Sequence, residues 1–414
     1  MRSGLLRSTL TLLAGGVLAQ ALPLLLGPWL TRIYSPEEFG QFASLWALAA
    51  NLAVVACARY EFALPLETEE AGAAVLMALC VRLLLAMTGV AALLGIVMAW
   101  GAEPGQGQAL LLPLAVLAGG LTQWLTLWAS RVGRFSATAL ARVLQYGGAA
   151  LLQLGLGLLA FGVWGLLLGP IVAGIAAALV LARPAPAGGW RMLWRQPWAD
   201  LRAMARRHRE FPLLNTPHAF AGALQDSLAL FLLVWWLGDA SAGFWALALR
   251  YLKAPAGLVG SALSQPLYTR LVALQTVEQA RQLVQRLLFL LLTLGMSLAA
   301  LLMVWGPDLF VWLFGERWRE AGQLARALAP YIALHFVASP LSVATLAWGQ
   351  QAWALRLALW GQLAFALGLG LGLFWGGLIG AAWGVSAMMS AYFTYFFLAL
   401  PARAAVVPAR ASLS

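Results

Sequence analysis

Apolar runs of about 20 residues recur along almost the whole chain, and this pattern restricts the fold more than any other feature. A helix of about 20 residues crosses the hydrocarbon core of a bilayer, which is about 30 Å thick. Of the 414 residues, 62% are hydrophobic and only 10% are charged. Soluble domains carry about 25% charged residues. The sequence therefore predicts an all-α integral membrane protein and excludes secreted or cytosolic enzymes, disulfide scaffolds and disordered chains.

The apolar runs predict about 12 transmembrane helices. They lie near residues 9–31, 40–60, 72–100, 109–130, 139–161, 163–183, 213–237, 241–260, 279–305, 326–349, 353–374 and 376–400. The first run follows Arg2 and Arg7 and resembles a secretory signal, but it is long enough to span a bilayer. It is interpreted as an uncleaved first helix.

The arginines between the runs predict the orientation, because positively charged loops stay in the cytoplasm. With a cytoplasmic N-terminus, most basic residues fall on the cytoplasmic side, whereas the loops near 101–108, 238–240 and 374–378 hold none. Both termini are therefore expected to be cytoplasmic. Topology also explains the net charge of +11, so no nucleic-acid partner is expected.

A polar stretch at the midpoint predicts how the chain is divided. Residues 184–211, rich in proline, glycine and arginine, are expected to form a basic cytoplasmic linker. The linker would join an N-terminal six-helix lobe (1–183) to a C-terminal six-helix lobe (212–400), which a cytoplasmic tail (401–414) follows. Short motifs recur in the two halves roughly 200 residues apart, which predicts an internal repeat related by an axis along the membrane normal.

In the linker, Arg202, Arg206 and Arg209 are spaced to share one face of a helix. Such a face could lie on anionic lipid headgroups. Positive-inside topology alone explains the same arginines.

Ionisable residues deep in a span cost about 2.5–3.5 kcal/mol, so each is a candidate functional residue. Arg250 and Lys253 lie one turn apart in the eighth predicted span, Arg250 roughly 15 Å from its outer end. Asp226, in the seventh span, is expected to reach the same depth and to pair with them. The cluster is either a structural pair with a snorkelling arginine or a cationic patch that lines a central cavity and meets an anionic substrate such as a diphosphate.

Further polar residues in the predicted spans are also considered. Arg142 and Gln145 begin a polar stripe on the fifth span that continues to Gln153, and this stripe either faces a cavity or makes interhelical hydrogen bonds. His335, in the tenth span, could relay a proton because imidazole titrates near neutral pH, or it is a core histidine. Arg82 is expected to snorkel to the cytoplasmic interface.

The sequence holds no phosphate loop, nucleophile elbow, metal-spaced cluster or paired catalytic carboxylates. It therefore predicts neither an enzyme nor a bound metal or cofactor.

Several separated segments resemble one family. Residues 32–40 (RIYSPEEFG) and 58–66 (ARYEFALPL) resemble the opening of Wzx-like oligosaccharide flippases of the polysaccharide-biosynthesis type. These flippases belong to the multidrug/oligosaccharidyl-lipid/polysaccharide exporter superfamily. Residues 249–255 are similar to the family's eighth helix and 264–268 to the loop that follows it. Residues 314–318 and 339–341 resemble its ninth loop and tenth helix.

The resemblance implies an inner-membrane flippase that moves a polyprenyl-diphosphate-linked oligosaccharide, a unit of O-antigen, capsule or exopolysaccharide, to the outer leaflet by alternating access. Cationic cavity residues of such proteins are thought to meet the diphosphate, and Arg250 and Lys253 occupy positions suited to that role. The implied partners are the lipid-linked oligosaccharide, membrane lipids and other polysaccharide-assembly proteins.

Three alternatives remain open. A multidrug or cation antiporter of the same superfamily would be expected to show acidic intramembrane residues, and Asp226 is the only deep acid in the predicted spans. A membrane enzyme such as an O-antigen polymerase usually carries a large outer loop, whereas the largest loop here is expected inside. A non-transporting scaffold is the third alternative.

Overall fold

The computed structural model describes residues 2–100, 107–186 and 189–404. Within these ranges the regular elements are helices, and no strand occurs. The first half contains α1 (Arg2–Ile33), α2 (Pro36–Val55), α3 (Glu70–Trp100), α4 (Leu112–Arg131), α5 (Phe135–Arg142), α6 (Ala149–Leu158), α7 (Val163–Leu181), α8 (Met192–Arg195), α9 (Trp198–Arg207) and α10 (Thr216–Leu237). The second half contains α11 (Asp239–Ala273), α12 (Val277–Phe314), α13 (Arg319–Leu341), α14 (Val343–Ala347) and α15 (Gln351–Ala402). Short 3-10 helices lie at Tyr60–Leu66, Gly107–Leu111 and Glu316–Trp318, and π-helical turns at Val143–Gly148 and Phe211–Asn215.

Among the described residues, seven helical stretches are long and apolar enough to cross a membrane. They are Pro36–Val55, Glu70–Trp100, Gly107–Arg131, Val163–Leu181, Val277–Phe314, Glu316–Ala347 and Gln351–Ala402. Large apolar side chains such as Leu93, Trp375 and Leu398 are mostly exposed on them, as is expected of surfaces that lipid covers. The prediction of an all-α, multi-pass membrane protein is confirmed.

The start of α2 follows from its local sequence. The hydroxyl of Ser35 accepts a hydrogen bond from the Glu38 amide at 3.3 Å, and the Glu38 carboxylate accepts one from the Ser35 amide at 2.8 Å. Pro36 occupies the first helical position, where its missing N–H costs nothing. This capping box fixes where α2 enters the bundle.

The chain divides into two compact units, Met1–Val234 (unit 1) and Trp235–Ser414 (unit 2). In unit 1, α4 packs against α2, α3 and α7, while α1 packs against α5, α6 and the π-helical turn between them. In unit 2, α13 packs against α11, α12 and α15, and the Trp318 side chain just before it is fully buried.

Residues 264–268, expected to form a loop, are helical. The helix α11 continues to Ala273 without interruption through Pro255 and Pro266. The hydroxyl of Ser264 donates back to the Gly260 carbonyl at 2.6 Å, so its polarity is satisfied within the helix. The loop prediction was wrong because membrane helices tolerate prolines when neighbouring groups satisfy the backbone.

The two last predicted spans, 353–374 and 376–400, are the arms of one helical hairpin. They belong to α15, whose helical geometry breaks only at Gly376 and Gly377, and Gly377 has a φ of 58° that favours glycine. The arms approach closely, since a Cβ on Gly368 would lie 2.5 Å from the Gly384 carbonyl oxygen. Small residues permit such backbone approach between membrane helices.

The linker contains α8 and α9 and packs against α3 and α4 within unit 1. Leu193 and Met204 are buried in a core that they share with α3 and α4. Arg82 of α3 donates through Nη2 to the carbonyls of Trp194 and Gln196, at 3.2 Å each, and its guanidinium lies 4.9 Å from the Trp198 ring centroid. Arg82 therefore holds the linker against the helical bundle.

The charged face of α9 lies on the opposite side from this core. Arg202 and Arg206 of α9, and Arg209 just beyond its end, are all exposed. The side chains of Arg2 and Arg7 and the tail from residue 405, including Arg410, lie outside the described residues, as do residues 101–106.

Candidate functional site

A cavity of about 380 Å³ lies within unit 1, between α2, α4 and the segment that joins α5 to α6. Arg142 and Gln145, both predicted site residues, line it. The other lining residues include three polar ones, Thr122, Gln123 and Thr126, and two aromatic ones, Trp46 and Tyr146. The rest are small or apolar: Ala49, Ala50, Ala53, Val54, Ala115 and Gly119. Such a wall, apolar with a few convergent polar groups, is typical of a ligand site.

The π-helical turn Val143–Gly148 presents the polar side of this cavity. Gln145 lies inside the turn and donates from Nε2 to Oγ1 of Thr122 on α4 at 3.4 Å. Arg142 ends α5, and its side chain is exposed at the cavity wall. π-helical turns often occur at functional sites. The end of α5 and the turn thus hold a guanidinium and an amide at one cavity.

Gln153, the third residue of the predicted polar stripe, has a different environment. Its side chain is 5% exposed and donates from Nε2 to the Leu166 carbonyl of α7 at 2.8 Å. The Gln153 carbonyl in turn accepts from the Tyr34 hydroxyl at 2.6 Å. Gln153 therefore joins helices, whereas Arg142 and Gln145 line the cavity.

A buried carboxylate lies beside this cavity. Glu61 is 1% exposed, and its Oε1 accepts a hydrogen bond from Nε2 of Gln123 at 2.5 Å. Among the described residues its Oε2 has no hydrogen-bond partner. Burial raises the pKa of the Glu61 carboxyl, and the hydrogen bond from Gln123 and the nearby charge of Arg59 oppose this rise only in part. Because Gln123 lines the cavity, the carboxylate is one hydrogen bond away from it.

The second helix ends earlier than predicted, and this places Glu61. Instead of continuing to residue 60, α2 stops at Val55, and Ala58 and Arg59 take left-handed φ values of 48° and 62°. The chain then forms the 3-10 helix Tyr60–Leu66. Nothing in the sequence singled out Glu61 as a site residue, although an acid within the apolar motif 58–66 was a usable signal.

Unit 2 carries three other predicted site residues, Arg250, Lys253 and His335. Arg250 and Lys253 lie one turn apart on α11 and are half-buried. Between them the ring of Tyr251 packs against Phe314 of α12, with 4.6 Å between centroids. The side chain of Asp226 lies outside the described residues, so its pairing with Arg250 and Lys253 stays a prediction.

His335 lies on α13 in an aromatic environment. Its ring centroid is 5.8 Å from that of Tyr331 and 6.0 Å from that of Phe393. The candidates therefore form two groups, with Arg142 and Gln145 in unit 1, and Arg250, Lys253 and His335 in unit 2.

No three His, Cys, Asp or Glu side chains come together as metal ligands within residues 2–100, 107–186 and 189–404. Cys57 and Cys80 are buried free thiols, and the Cys57 Sγ donates to the Cys80 carbonyl at 3.6 Å.

These helices and this cavity define a membrane protein with the fold of transporters of the MOP superfamily. The chain is similar to a multidrug resistance MATE family transporter of that superfamily in its inward-facing conformation, with a TM-score of 0.64 and 17% identity over 93% of this chain and 94% of that chain. It is similar to the lipid II flippase MurJ in an inward closed conformation, with a TM-score of 0.67 and 10% identity over 96% of this chain and 90% of that one. A MOP superfamily transporter from Pyrococcus furiosus gives a TM-score of 0.53 and 16% identity over 96% and 95%.

The family model of polysaccharide biosynthesis proteins matches residues 29–323, and the chain belongs to this family. The family resemblance of the sequence motifs is thereby confirmed. No curated protein sequence matches the chain.

Proposed function

We propose that this protein is a flippase that moves a polyprenyl-diphosphate-linked oligosaccharide from the cytoplasmic to the outer leaflet of the bacterial inner membrane. The oligosaccharide would be a unit of O-antigen, capsule or exopolysaccharide, and alternating access would move it. The proposal makes the protein a transporter and not an enzyme. It rests on membership of the polysaccharide biosynthesis family together with the polar cavity of unit 1.

The cavity is the observation that carries the proposal. It offers the guanidinium of Arg142, the amides of Gln145 and Gln123, and the hydroxyls of Thr122 and Thr126. Guanidinium groups bind phosphate and carboxylate oxygens through paired N–H donors, and amides and hydroxyls suit the hydroxyl groups of sugars. A glycan that carries negative charge therefore matches this set of donors.

Arg250 and Lys253 are proposed as a second cationic contact, for the diphosphate, with Asp226 as their partner. A positive charge held within a membrane segment is costly, and an anionic substrate offsets that cost. His335 is proposed as a group that couples transport to proton movement, since an imidazole ring can bind and release a proton.

The proposal includes 12 spans in two six-helix lobes, residues 1–183 and 212–400, joined by the cytoplasmic linker 184–211. The helices α1, α10 and α11, and α5 with α6, would add four spans to the seven apolar stretches, and the two arms of α15 would count as separate spans. Both termini, with the tail 401–414, would lie in the cytoplasm. The fold that the chain shares with MOP superfamily transporters supports this arrangement.

The decisive experiment uses a strain from which the gene has been deleted. Diphosphate-linked oligosaccharide is expected to accumulate on the cytoplasmic face of the inner membrane, and restoring the gene is expected to clear it. The sugars of the accumulated lipid would identify the substrate. Normal surface polysaccharide without any accumulated lipid-linked glycan would overturn the proposal.

Glu61 favours a second candidate function, a multidrug or cation antiporter. A buried carboxylate one hydrogen bond from a cavity is suited to exchange a proton against a cation. Export of fluorescent cations from cells that produce the wild-type chain, lost in Glu61→Gln and accompanied by unchanged glycan assembly, would support the antiporter.

A further inference from the structure

We propose that unit 1 holds an anionic phospholipid in a second cavity, separate from the candidate substrate site. This cavity measures about 250 Å³ and lies between α3, α4, α7 and the linker. The residues that line it are Val81, Leu121, Trp124, Leu125, Ile175, Ala178, Leu179, Ala182, Trp190, Leu193 and Trp194. None of them lines the 380 Å³ cavity.

The lining suits one hydrocarbon chain. All 11 of these side chains are aliphatic or aromatic, and Ile175 and Leu179 are 37% and 67% exposed on α7. A membrane-spanning helix with exposed aliphatic side chains faces the lipid tails, so the cavity opens toward the bilayer. The linker supplies the other wall through Trp190, Leu193 and Trp194.

The rim of the cavity is basic. Three lining residues, Ala182, Trp190 and Trp194, are each followed directly in sequence by an arginine. These arginines, Arg183, Arg191 and Arg195, are exposed, and no acidic residue occurs from 183 to 199. Juxtamembrane arginines attract anionic headgroups. The charge of the rim therefore selects a phospholipid with a negative headgroup.

A polar group in the wall indicates a glycerolipid ester. The Trp124 side chain is 2% exposed, and its indole N–H has no acceptor among the described residues. One turn later on α4, the indole N–H of Trp128 donates to the Pro184 carbonyl at 3.0 Å. Buried indole N–H groups usually find an acceptor, and the ester carbonyl of a phospholipid would provide one.

The aromatic wall lies at the level of the linker, where a headgroup would lie. Trp190 meets Trp124 edge to face with 6.3 Å between centroids, and the Arg82 guanidinium donates to the carbonyls of Trp194 and Gln196 in the linker. Tryptophans concentrate at the membrane interface because one end of the ring is apolar and the other is polar. A lipid bound here would join the linker to the bundle.

The test uses the purified full chain in detergent, with phosphatidylglycerol as the probe and phosphatidylcholine of the same tails as the control. Phosphatidylglycerol is expected to raise the thermal unfolding midpoint and to remain bound in native mass spectrometry. The rim variant Arg191→Gln/Arg195→Gln is expected to lower the affinity at least about fivefold. The matched variant Arg202→Gln/Arg206→Gln removes the same charge from the exposed face of α9 and is expected to bind like the wild type.

Ala182→Trp, which fills the cavity and leaves the rim charges, is expected to lose the bound lipid. Equal affinity of the two double arginine variants would overturn the proposal, because general attraction to the basic linker would then explain the binding. Equal binding of phosphatidylcholine, or retention of a polyprenyl phosphate that phosphatidylglycerol does not displace, would overturn it as well.

Discussion

The Nε2 of Gln123 lies 2.5 Å from the Oε1 of Glu61, and this hydrogen bond connects α4 to the 3-10 helix that follows α2. The Gln123 side chain therefore binds a buried carboxylate and also lines the candidate substrate cavity. A change in the charge of Glu61 would alter this hydrogen bond and thereby the position of Gln123 at the cavity wall.

Glu61→Gln is expected to flatten the pH dependence of stability. Because burial raises the Glu61 pKa above its ordinary value of 4.5, the folded chain keeps a proton that the unfolded chain has lost. The free energy of unfolding therefore decreases as the pH rises from 4.5 through the folded-state pKa. Thermal unfolding across this window measures the slope, and Glu69→Gln at an exposed neighbouring site is the control. Parallel curves for the wild type and Glu61→Gln would contradict the prediction.

Arg142→Gln is expected to reduce glycan transport at least about tenfold, because a charge-assisted contact contributes about 1.5–3 kcal/mol. Arg142 is exposed, so the loss of stability should stay within about 0.5 kcal/mol. Surface polysaccharide in a complemented deletion strain measures the effect. Arg32→Gln, at an exposed arginine at the end of α1, is the control. Full transport by Arg142→Gln would remove this residue from the proposed site.

Arg250→Ala and Lys253→Ala are each expected to abolish transport while the protein stays in the membrane. The reason is the loss of a positive charge that the proposed diphosphate contact requires. The measurements are the surface glycan and the amount of protein in the membrane fraction. Arg286→Ala, at an exposed position on α12, serves as the control. Wild-type export from either α11 variant would refute the role of that residue.

Glu67→Ala is expected to loosen the linker. Glu67 is 4% exposed, and its Oε1 lies 2.7 Å from the His208 Nε2 and 3.4 Å from the Arg207 Nη1. Loss of a hydrogen bond to a charged group costs about 1.5–3 kcal/mol. Trypsin should therefore cleave faster at the linker arginines, whereas Glu69→Ala should leave the rate unchanged. Equal digestion rates for the two variants would show that Glu67 does not hold the linker.

Gly372→Leu is expected to lower the thermal unfolding midpoint and the yield of folded protein. A Cβ at Gly372 would overlap the Gly380 carbonyl of the other arm of α15, and backbone cannot give way as a flexible side chain can. Gly370→Leu is the matched control, because nothing lies within 4 Å of a Cβ there. A similar yield and midpoint for both variants would contradict close packing of the arms.

Hydrophobicity was sufficient for much of the helical pattern and insufficient for its boundaries. The apolar runs predicted a multi-pass helical protein, because run length alone decides whether a helix can span lipid. Residues 264–268 were expected to form a loop because they resemble the family's loop after the eighth helix, yet Ser264 bonds within α11.

The candidate site was predictable only where a charged or polar side chain interrupts an apolar run. Arg142 and Gln145 are visible in this way, and the structure places both at one cavity. Glu61 also interrupts an apolar motif, but its place beside the cavity could not be predicted, because it depends on the early end of α2 and on Gln123, which is 62 residues away in the chain. Contacts between residues far apart in sequence have no local signature.

The hairpin of α15 has a consequence for how unit 2 can move. Its two arms meet backbone to backbone at Gly368 and Gly384, and only Gly376 and Gly377 separate them along the chain. At this crossing backbone atoms of the two arms are in direct contact, with no side chains between them. One arm therefore cannot shift or rotate against the other without steric overlap. The two arms therefore move together as one rigid body, and any movement of this hairpin must be accommodated by bending at its ends, near Gln351 and Ala402.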